Sequence, residues 1–243
     1  MKLFQANIWA GRLEPQIISL IKELDPDVLC LQEAVELEGG RGMLFASISD
    51  IQKAIGAEYA FMTPSLTINY MNRKANFGNA IISKHPFKKT EGVYTGLEHA
   101  ENFDMLEHDY NVRTLQHVVI ETPDGKDVNI LNHHGHHIRQ HKNGDEETMK
   151  QCGMIADYIK KLDGPVILNG DFNLAPDSES LNLLNSFMRN LAIEANLETT
   201  RTALTHKKEV CDYVFVNDGV DVKEFKVLND VISDHMAMTL DFS

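Results

Sequence analysis

The stretch Val166-Ile167-Leu168-Asn169-Gly170-Asp171-Phe172-Asn173 is a short apolar run that ends in a carboxylate. Runs of Val, Ile and Leu this short read as strands buried on both faces, because no polar residue marks a wet side. Two other stretches share the pattern, Val28-Leu29-Cys30-Leu31-Gln32-Glu33 and Val231-Ile232-Ser233-Asp234-His235. An acid at the end of a buried strand is unfavourable unless a metal, a cation or a hydrogen-bond donor compensates it. Three such ends, far apart in sequence, imply strands converging on one charged site, and so an enzyme.

Around these runs, strand and helix signals alternate to the last residue without a repeat, a low-complexity tract or a Ser/Gly linker. For 243 residues that pattern predicts a single domain spanning 1–243. Strands are expected at Leu3–Ile8, Asp27–Gln32, Tyr59–Pro64, Gly78–Ser83, Thr90–Thr95, Val112–Glu121 and Asp127–His133. Pro123-Asp124-Gly125-Lys126 turns the last two into a hairpin. Three more strands close the chain at Tyr213–Asn217, Val222–Val227 and Ala237–Phe242. Helices are expected at Glu14–Leu24, Met43–Ile55, Asp145–Leu162 and Ser178–Met188; the first carries Pro15 in its opening turn and Ile17, Leu20, Ile21 and Leu24 on one face. Mixed α and β with long antiparallel stretches argues for two packed sheets flanked by helices. Gly39, Gly40 and Gly42 form a flexible loop after Glu33. Gly96–Asn111 and Ile138–Glu146 fit no element and read as substrate-facing loops.

Composition narrows the function. The chain is 43% apolar and 24% charged, ordinary for a globular protein with a sizeable core. No run approaches the roughly eighteen apolar residues of a membrane span. A strand begins almost at once, with no positively charged leader, so the expected location is cytoplasmic. Cys30, Cys152 and Cys211 each sit in an apolar pattern and read as reduced, buried thiols. The net charge of −13 argues against a general nucleic-acid coat protein, because such binding needs cations to replace counter-ions. An acidic enzyme can still hold phosphate esters if a divalent cation supplies the local positive field. The basic clusters Lys84, Lys88 and Lys89, Arg139 and Lys142, and Lys207 and Lys208 read as solvated surface rather than a substrate rim.

Asn7 and Glu33, each after a buried strand, are oxygen ligands of the kind Mg²⁺ or Mn²⁺ uses sparingly. In Asn169–Asn173, Gly170 permits a sharp turn, Asp171 can orient or deprotonate a water, and the Asn173 amide can donate to a phosphoryl oxygen. Ser233-Asp234-His235 sets a carboxylate beside an imidazole, the usual proton-transfer group near neutral pH. Such a ring needs an acid to fix its tautomer, and Asp212 is the candidate.

These pieces together resemble the endonuclease/exonuclease/phosphatase superfamily of Mg²⁺-dependent phosphoesterases, which includes deoxyribonuclease I, abasic-site endonucleases, neutral sphingomyelinases, inositol-polyphosphate phosphatases, deadenylases and tyrosyl-DNA phosphodiesterases. The matching motifs run in family order: Gln5-Ala6-Asn7-Ile8-Trp9, Leu31-Gln32-Glu33, Gly78-Asn79-Ala80-Ile81-Ile82-Ser83, Arg113, Asn132-His133-His134, Gly170-Asp171-Phe172-Asn173, Cys211-Asp212-Tyr213 and Ser233-Asp234-His235. The resemblance implies a four-layer α/β sandwich, two mixed β-sheets packed face to face and flanked by helices. It implies a metal, Mg²⁺ or Mn²⁺, on Glu33 with Asn7 and Asp234. It also implies water positioned by Asp171, a phosphoryl group held by Asn173, His235 oriented by Asp212 as base or phosphate contact, and His134 as donor to a non-bridging oxygen or to the leaving group. Arg113 and Asn79 would contact phosphate or stand as structural residues. The implied reaction is in-line attack of water on a phosphodiester, by a nuclease or nucleic-acid-end phosphodiesterase, with nucleic acid the leading partner and a small-molecule or lipid phosphoester (sphingomyelinase- or inositol-phosphatase-like) the alternative. A non-catalytic binding protein is disfavoured because the whole motif set is present.

Departures narrow the branch. Abasic-site endonucleases carry Tyr at the position of His134 and a Trp three residues before Asp212, where this chain has Glu209, so that repair role is disfavoured. The run His133-His134-Gly135-His136-His137, with His141, is richer in imidazole than the family needs. A zinc site is one reading; one catalytic histidine among surface or loop residues is the preferred one. The choice between His133 and His134 falls on His134, since neighbours on a strand face opposite ways.

Overall fold

The structure, a computed structural model, describes residues 1–40, 45–101 and 111–243. The chain begins with β1 (Lys2–Asn7), a single 3₁₀ turn at Trp9–Gly11, α1 (Glu14–Leu24) and β2 (Val28–Leu37). Then come α2 (Ile48–Ile55), β3 (Tyr59–Tyr70), β4 (Arg73–Ser83), β5 (Phe87–Tyr94), β6 (Thr114–Glu121), β7 (Asp127–His134), α3 (Glu146–Ile159) and β8 (Val166–Asp171). The chain closes with α4 (Glu179–Asn185), β9 (Arg189–Asn190), α5 (Leu191–Glu194), β10 (Asp212–Val216), β11 (Val222–Val227) and β12 (Met238–Phe242).

These strands form two six-stranded sheets, ordered β11-β12-β1-β2-β4-β3 and β5-β6-β7-β8-β10-β9. Each sheet holds one parallel pair, β1–β2 and β7–β8, joined by a helical crossover through α1 or α3. On the outer face of the first sheet, Phe4, Ala6, Ile8, Leu29 and Leu31 pack against Ile17, Leu20 and Ile21 of α1 and Ile48 and Ile51 of α2. On the outer face of the second, Leu131, Leu168, Tyr213 and Phe215 pack against Cys152, Ile155 and Ile159 of α3 and Leu181 and Leu184 of α4. Leu3, Val28, Cys30 and Ile81 meet Val118, Ile130, Ile167 and Val214 between the sheets. The result is the expected four-layer α/β sandwich.

Side chains facing the inter-sheet space recur every second residue, and their character changes along the strands. The apolar zone just described gives way to Gln5, Gln32, Asn132 and Asn169, all fully buried. Gln5 Nε2 donates to Gln32 Oε1 at 3.0 Å, Gln32 Nε2 to Asn132 Oδ1 at 2.6 Å, and Asn132 Nδ2 to Gln116 Oε1 at 3.0 Å. This row of amides ties one sheet to the other through Gln32, Asn132 and Gln116, while Gln5 Oε1 and Asn169 Oδ1 have no hydrogen-bond partner among the described residues. One step further along the same faces stand Asn7, His134 and Asp171.

Four readings of the sequence change in the structure. Val231–His235 is a loop between β11 and β12, with Val231 exposed, so the third apolar run is no strand. Glu33 does not end its strand, because β2 continues to Leu37 through a bulge. Strands β3 and β4 extend well beyond Pro64 and start well before Gly78, paired to the tip at Tyr70↔Arg73. The helix expected from Met43 begins at Ile48. Gly42, Met43 and most of the expected Gly96–Asn111 loop lie outside the described residues. Lys84, Lys88 and Lys89 pair with Asp25, Asp127 and Glu91 at 2.5, 2.6 and 2.7 Å; exposed pairs of this kind contribute little, about 0–1 kcal/mol each.

Candidate active site

Asp171 closes β8 and sits directly across the antiparallel ladder from Asp212, the first residue of β10. Two carboxylates opposed in this way repel each other unless something lies between them. That group is His235, whose Nδ1 donates to Asp212 at 2.9 Å and whose Nε2 is 3.7 Å from Asp171 Oδ2. Asp212 is fully buried and also accepts from Thr200 Oγ1 at 2.6 Å and from the Cys211 thiol at 3.4 Å. Burial disfavours a charged His235 ring, yet Asp212 and Asp171 together outweigh it and raise its affinity for a proton. The Arg201 guanidinium lies against Nε2 and opposes that second proton, but two flanking carboxylates prevail over one cation.

Asp171 itself accepts from the Asn173 backbone N–H at 2.9 Å and from Asn7 Nδ2 at 3.1 Å. Burial would push its carboxyl up, but the nearby His235, His134, Arg201 and Lys142 hold it well below the usual carboxylate range. Two backbone features make this turn possible. Gly170 has φ +144°, and a Cβ there would lie 1.9 Å from the His133 carbonyl oxygen, so no other residue fits. Asn173 adopts φ +56°, the left-handed region that Asn tolerates better than most residues.

Glu33 reaches the site by a different device. Strict alternation from Val28, Cys30 and Gln32 would send it to the helical face. The register shift between Leu31 and Ala34, with Glu33 at φ +50°, re-aims it. Asn7 Nδ2 then bridges Glu33 Oε1 and Asp171 Oδ2, each at 3.1 Å, while Asn7 Oδ1 accepts from the Trp9 N–H at 3.1 Å. Trp9, Ala10 and Gly11 follow with φ of 49°, 58° and 68°, a strained left-handed turn of the kind found at functional sites. Beyond it opens a cleft of about 430 Å³ lined by Trp9, Glu33, Phe45, Ile68, Phe77, Arg113 and His134, among others.

His134 faces the carboxylates, with Nε2 3.7 Å from Asp171 Oδ2 and Arg113 NH1 3.1 Å from its ring nitrogens. Burial first, and Arg113 second, drive its pKa well below the ordinary value, so the ring is neutral. His133 points the other way, its ring 5.2 Å from Phe172 and its Nδ1 donating to the Thr114 carbonyl at 3.1 Å. Burial takes the His133 pKa from 6.5 down to about 4. Below about pH 6.5 the unfolded chain takes up a proton that the folded ring refuses. This contribution is therefore intact above 6.5 and lost as pH falls toward 4, by up to about 3 kcal/mol. His133→Gln, which keeps a donor for Thr114 and cannot titrate, should remove that part of the acid slope. Urea unfolding of both proteins at several pH values checks this, and parallel curves would overturn it.

Asn79 lies within β4 and uses its amide to donate to the Thr114 carbonyl at 3.1 Å, pinning the two sheets. Among the described residues His133, His134, His136, His137 and His141 form no metal-ligand group with one another. The single such group among the described residues is Asp171, Cys211, Asp212 and His235, with ligand atoms within 4.8 Å. There Asp212 and His235 already bond each other, and burial pushes the Cys211 thiol up to about 11, so the sulfur is protonated. Glu33 lines the cleft with the Asn7 Nδ2 turned toward its carboxylate and the Asn7 Oδ1 on the Trp9 N–H, while the Asp234 carboxylate stands 3.6 Å from Arg201 NH1.

Two cations of the site escaped the sequence reading. Lys142, grouped above with the solvated lysines, is buried and donates to Asn173 Oδ1 at 2.5 Å. Arg201 is 5% exposed and forms a bridge with His235, while Thr202 N donates to the Asp234 carbonyl at 3.0 Å. The one sequence signal for it is a cation set inside Thr199-Thr200-Arg201-Thr202 with no strand pattern around it.

Acids and imidazoles from the bulge of β2, the ends of β7 and β8, the start of β10 and the loop before β12 thus meet in one cluster. The model of the Endonuclease/Exonuclease/phosphatase family matches residues 4–235, and the chain belongs to that family, whose members are phosphoesterases. No curated protein matches it in sequence. Among solved structures, an endonuclease/exonuclease/phosphatase from Beutenbergia cavernae is 19% identical with a TM-score of 0.75, covering 100% of this chain and 71% of that one. A Bacteroides thetaiotaomicron mannosyl-6-phosphatase is 14% identical with a TM-score of 0.74, covering 100% and 99%. A humanised D. rerio TDP2 is 16% identical with a TM-score of 0.72, covering 100% and 98%. The fold is common to all three.

Proposed function

We propose that this chain hydrolyses a phosphoester at the end of a nucleic acid or nucleotide conjugate, by in-line attack of water with Mg²⁺ or Mn²⁺ bound. The observation that carries this reading is the ionised, buried Asp171, flanked by His134 and His235 beside an open cleft. Glu33, Asp234 and Asn7 would hold the cation, which when bound supplies positive charge against the phosphoryl oxygens. Asp171 orients the water along the line of attack and receives its proton. His235, held by Asp212, faces the phosphoryl group from one side. Neutral His134, backed by Arg113, donates a hydrogen bond from the other and does not serve as a strong acid. Asn173 keeps the Asp171 turn in register. Trp9, Phe45 and Phe77 give the cleft the aromatic walls on which a base stacks. Action at an end, rather than along a duplex, agrees with the acidic surface. The three free, buried cysteines accord with a reducing cytoplasm.

A second reading, a small-molecule or lipid phosphoester, is favoured by the pairing of the surface lysines with acids, which leaves no extended basic track among them. A panel of single- and double-stranded DNA, RNA, a tyrosyl-ended oligonucleotide, inositol phosphates and sphingomyelin, each with Mg²⁺, Mn²⁺ or EDTA, decides between the two. Metal-dependent cleavage of one class, absent from Asp171→Ala, is the expected result. Glu33→Gln should raise the metal concentration needed for half-maximal activity about tenfold or more. An unchanged metal requirement in that variant would remove Glu33 from the cation site.

A further inference from the structure

We propose that Arg201 and Lys142 receive the free oxygens of a terminal phosphate, so that the site selects phosphomonoesters over phosphodiesters. This rests on the phosphoester-hydrolase reading above and names the substrate's charge-bearing end.

Arg201 is almost wholly buried, with NH1 against His235 Nε2 and 3.6 Å from Asp234 Oδ2. Its Nε is buried without a hydrogen-bond partner among the described residues. A guanidinium carries five N–H donors, and burying it with donors unmatched is unfavourable. A planar fork with donors left over is suited to phosphate oxygens. Lys142 stands at the Asp171–Asn173 turn, its Nζ on Asn173 Oδ1 at 2.5 Å, and an ammonium has two donors beyond that bond.

The placement of these cations relative to the cleft gives the selectivity. The cleft is lined by Glu33, Arg113 and His134 and not by Arg201, Lys142, Asp212 or His235. An ester substituent therefore has its way out on the Glu33–His134 side. A diester carries a second substituent, which would have to displace Arg201 or Lys142. A terminal phosphate instead presents three free oxygens to the donors of Arg201 and Lys142, both of which are close enough for their charges to act on Asp171. In the reaction the water oxygen bonds to phosphorus and the bond to the alcohol oxygen in the cleft breaks. The alcohol gains the proton that water loses, and inorganic phosphate remains on Arg201 and Lys142.

The test uses the full chain with Mg²⁺, inorganic phosphate as the binding probe, and p-nitrophenyl phosphate against bis(p-nitrophenyl) phosphate as matched esters. Arg201→Met is expected to weaken phosphate binding in calorimetry, and to raise KM for the monoester, by about tenfold or more. Its diester KM should rise less than its monoester KM, so that the monoester preference falls; Arg201→Lys should restore part of that preference, and Lys142→Met should act in the same direction. A purely structural Arg201 would alter melting temperature or metal requirement and leave phosphate affinity and the monoester preference intact, which would overturn the proposal. So would a wild-type preference for the diester, although hydrolase activity itself would then stand. Arg201-dependent phosphate binding with turnover of neither ester would uphold the binding assignment and sink the hydrolase reading.

Discussion

Asp212→Asn is expected to lower turnover by about 10⁴-fold, the scale set when a buried aspartate that orients a catalytic imidazole loses its charge. Asp212 is fully buried and takes the His235 Nδ1 proton at 2.9 Å, so it fixes which nitrogen faces the reaction. An Asn side chain can turn its NH₂ toward the ring and reverse the tautomer. Thr200 and Cys211 also donate to this carboxylate, and both would compete for the one oxygen left. The fold should survive, because the strand pairing of β10 with β8 does not depend on the side chain. Steady-state kinetics with a ring-nitrogen NMR spectrum of His235 would check both parts. Turnover within tenfold of wild type would show that His235 does not need its partner.

Asp171→Asn should be comparably damaging, by about 10²–10⁴-fold in kcat with little change in KM. The carboxylate is the one group that Asn7, the Asn173 backbone, His134 and His235 all face. Removing its charge leaves water without a strong acceptor and lets the surrounding cations repel one another. The same substitution relieves the opposition between Asp171 and Asp212 across the ladder. The melting temperature should therefore move by only a few degrees, which separates lost chemistry from lost fold. A large fall in melting temperature with parallel loss of activity would mean that Asp171 is structural.

Much of this site was legible before any coordinates. Asn7, Glu33, His134, Asp171, Asn173, Asp212, Asp234 and His235 were singled out from strand ends and motif order. The structure brings Asn7, Glu33 and Asp171 into one hydrogen-bonded group and Asp212 and His235 into another. Arg113 meets His134 as part of the same cluster. Asn79 bonds between the sheets, a duty that its motif did not reveal. The β3–β4 hairpin was missed beyond Pro64 because its tip, Met71-Asn72 with φ of 51° and 62°, lacks the glycine that announces such a turn. Lys142 was read as solvated because a lysine in a polar loop looks the same whether its ammonium meets water or a buried amide.

The sequence by itself determined the layering. Short apolar runs with no wet side, joined by amphipathic helices, can bury both faces only by packing two sheets between helices, and acids at buried strand ends demand a shared, compensated site. Only the tertiary structure decided which acids share it and how. The bulge that turns Glu33 inward, the pairing that sets Asp171 opposite Asp212, and the loop that carries His235 between them are all long-range events. Each joins segments scores of residues apart, and a local pattern carries no information about the partner across such a distance. Arg201 belongs to the same class: its neighbourhood shows no more than a cation among threonines, and only the chain that folds over it makes it part of the site.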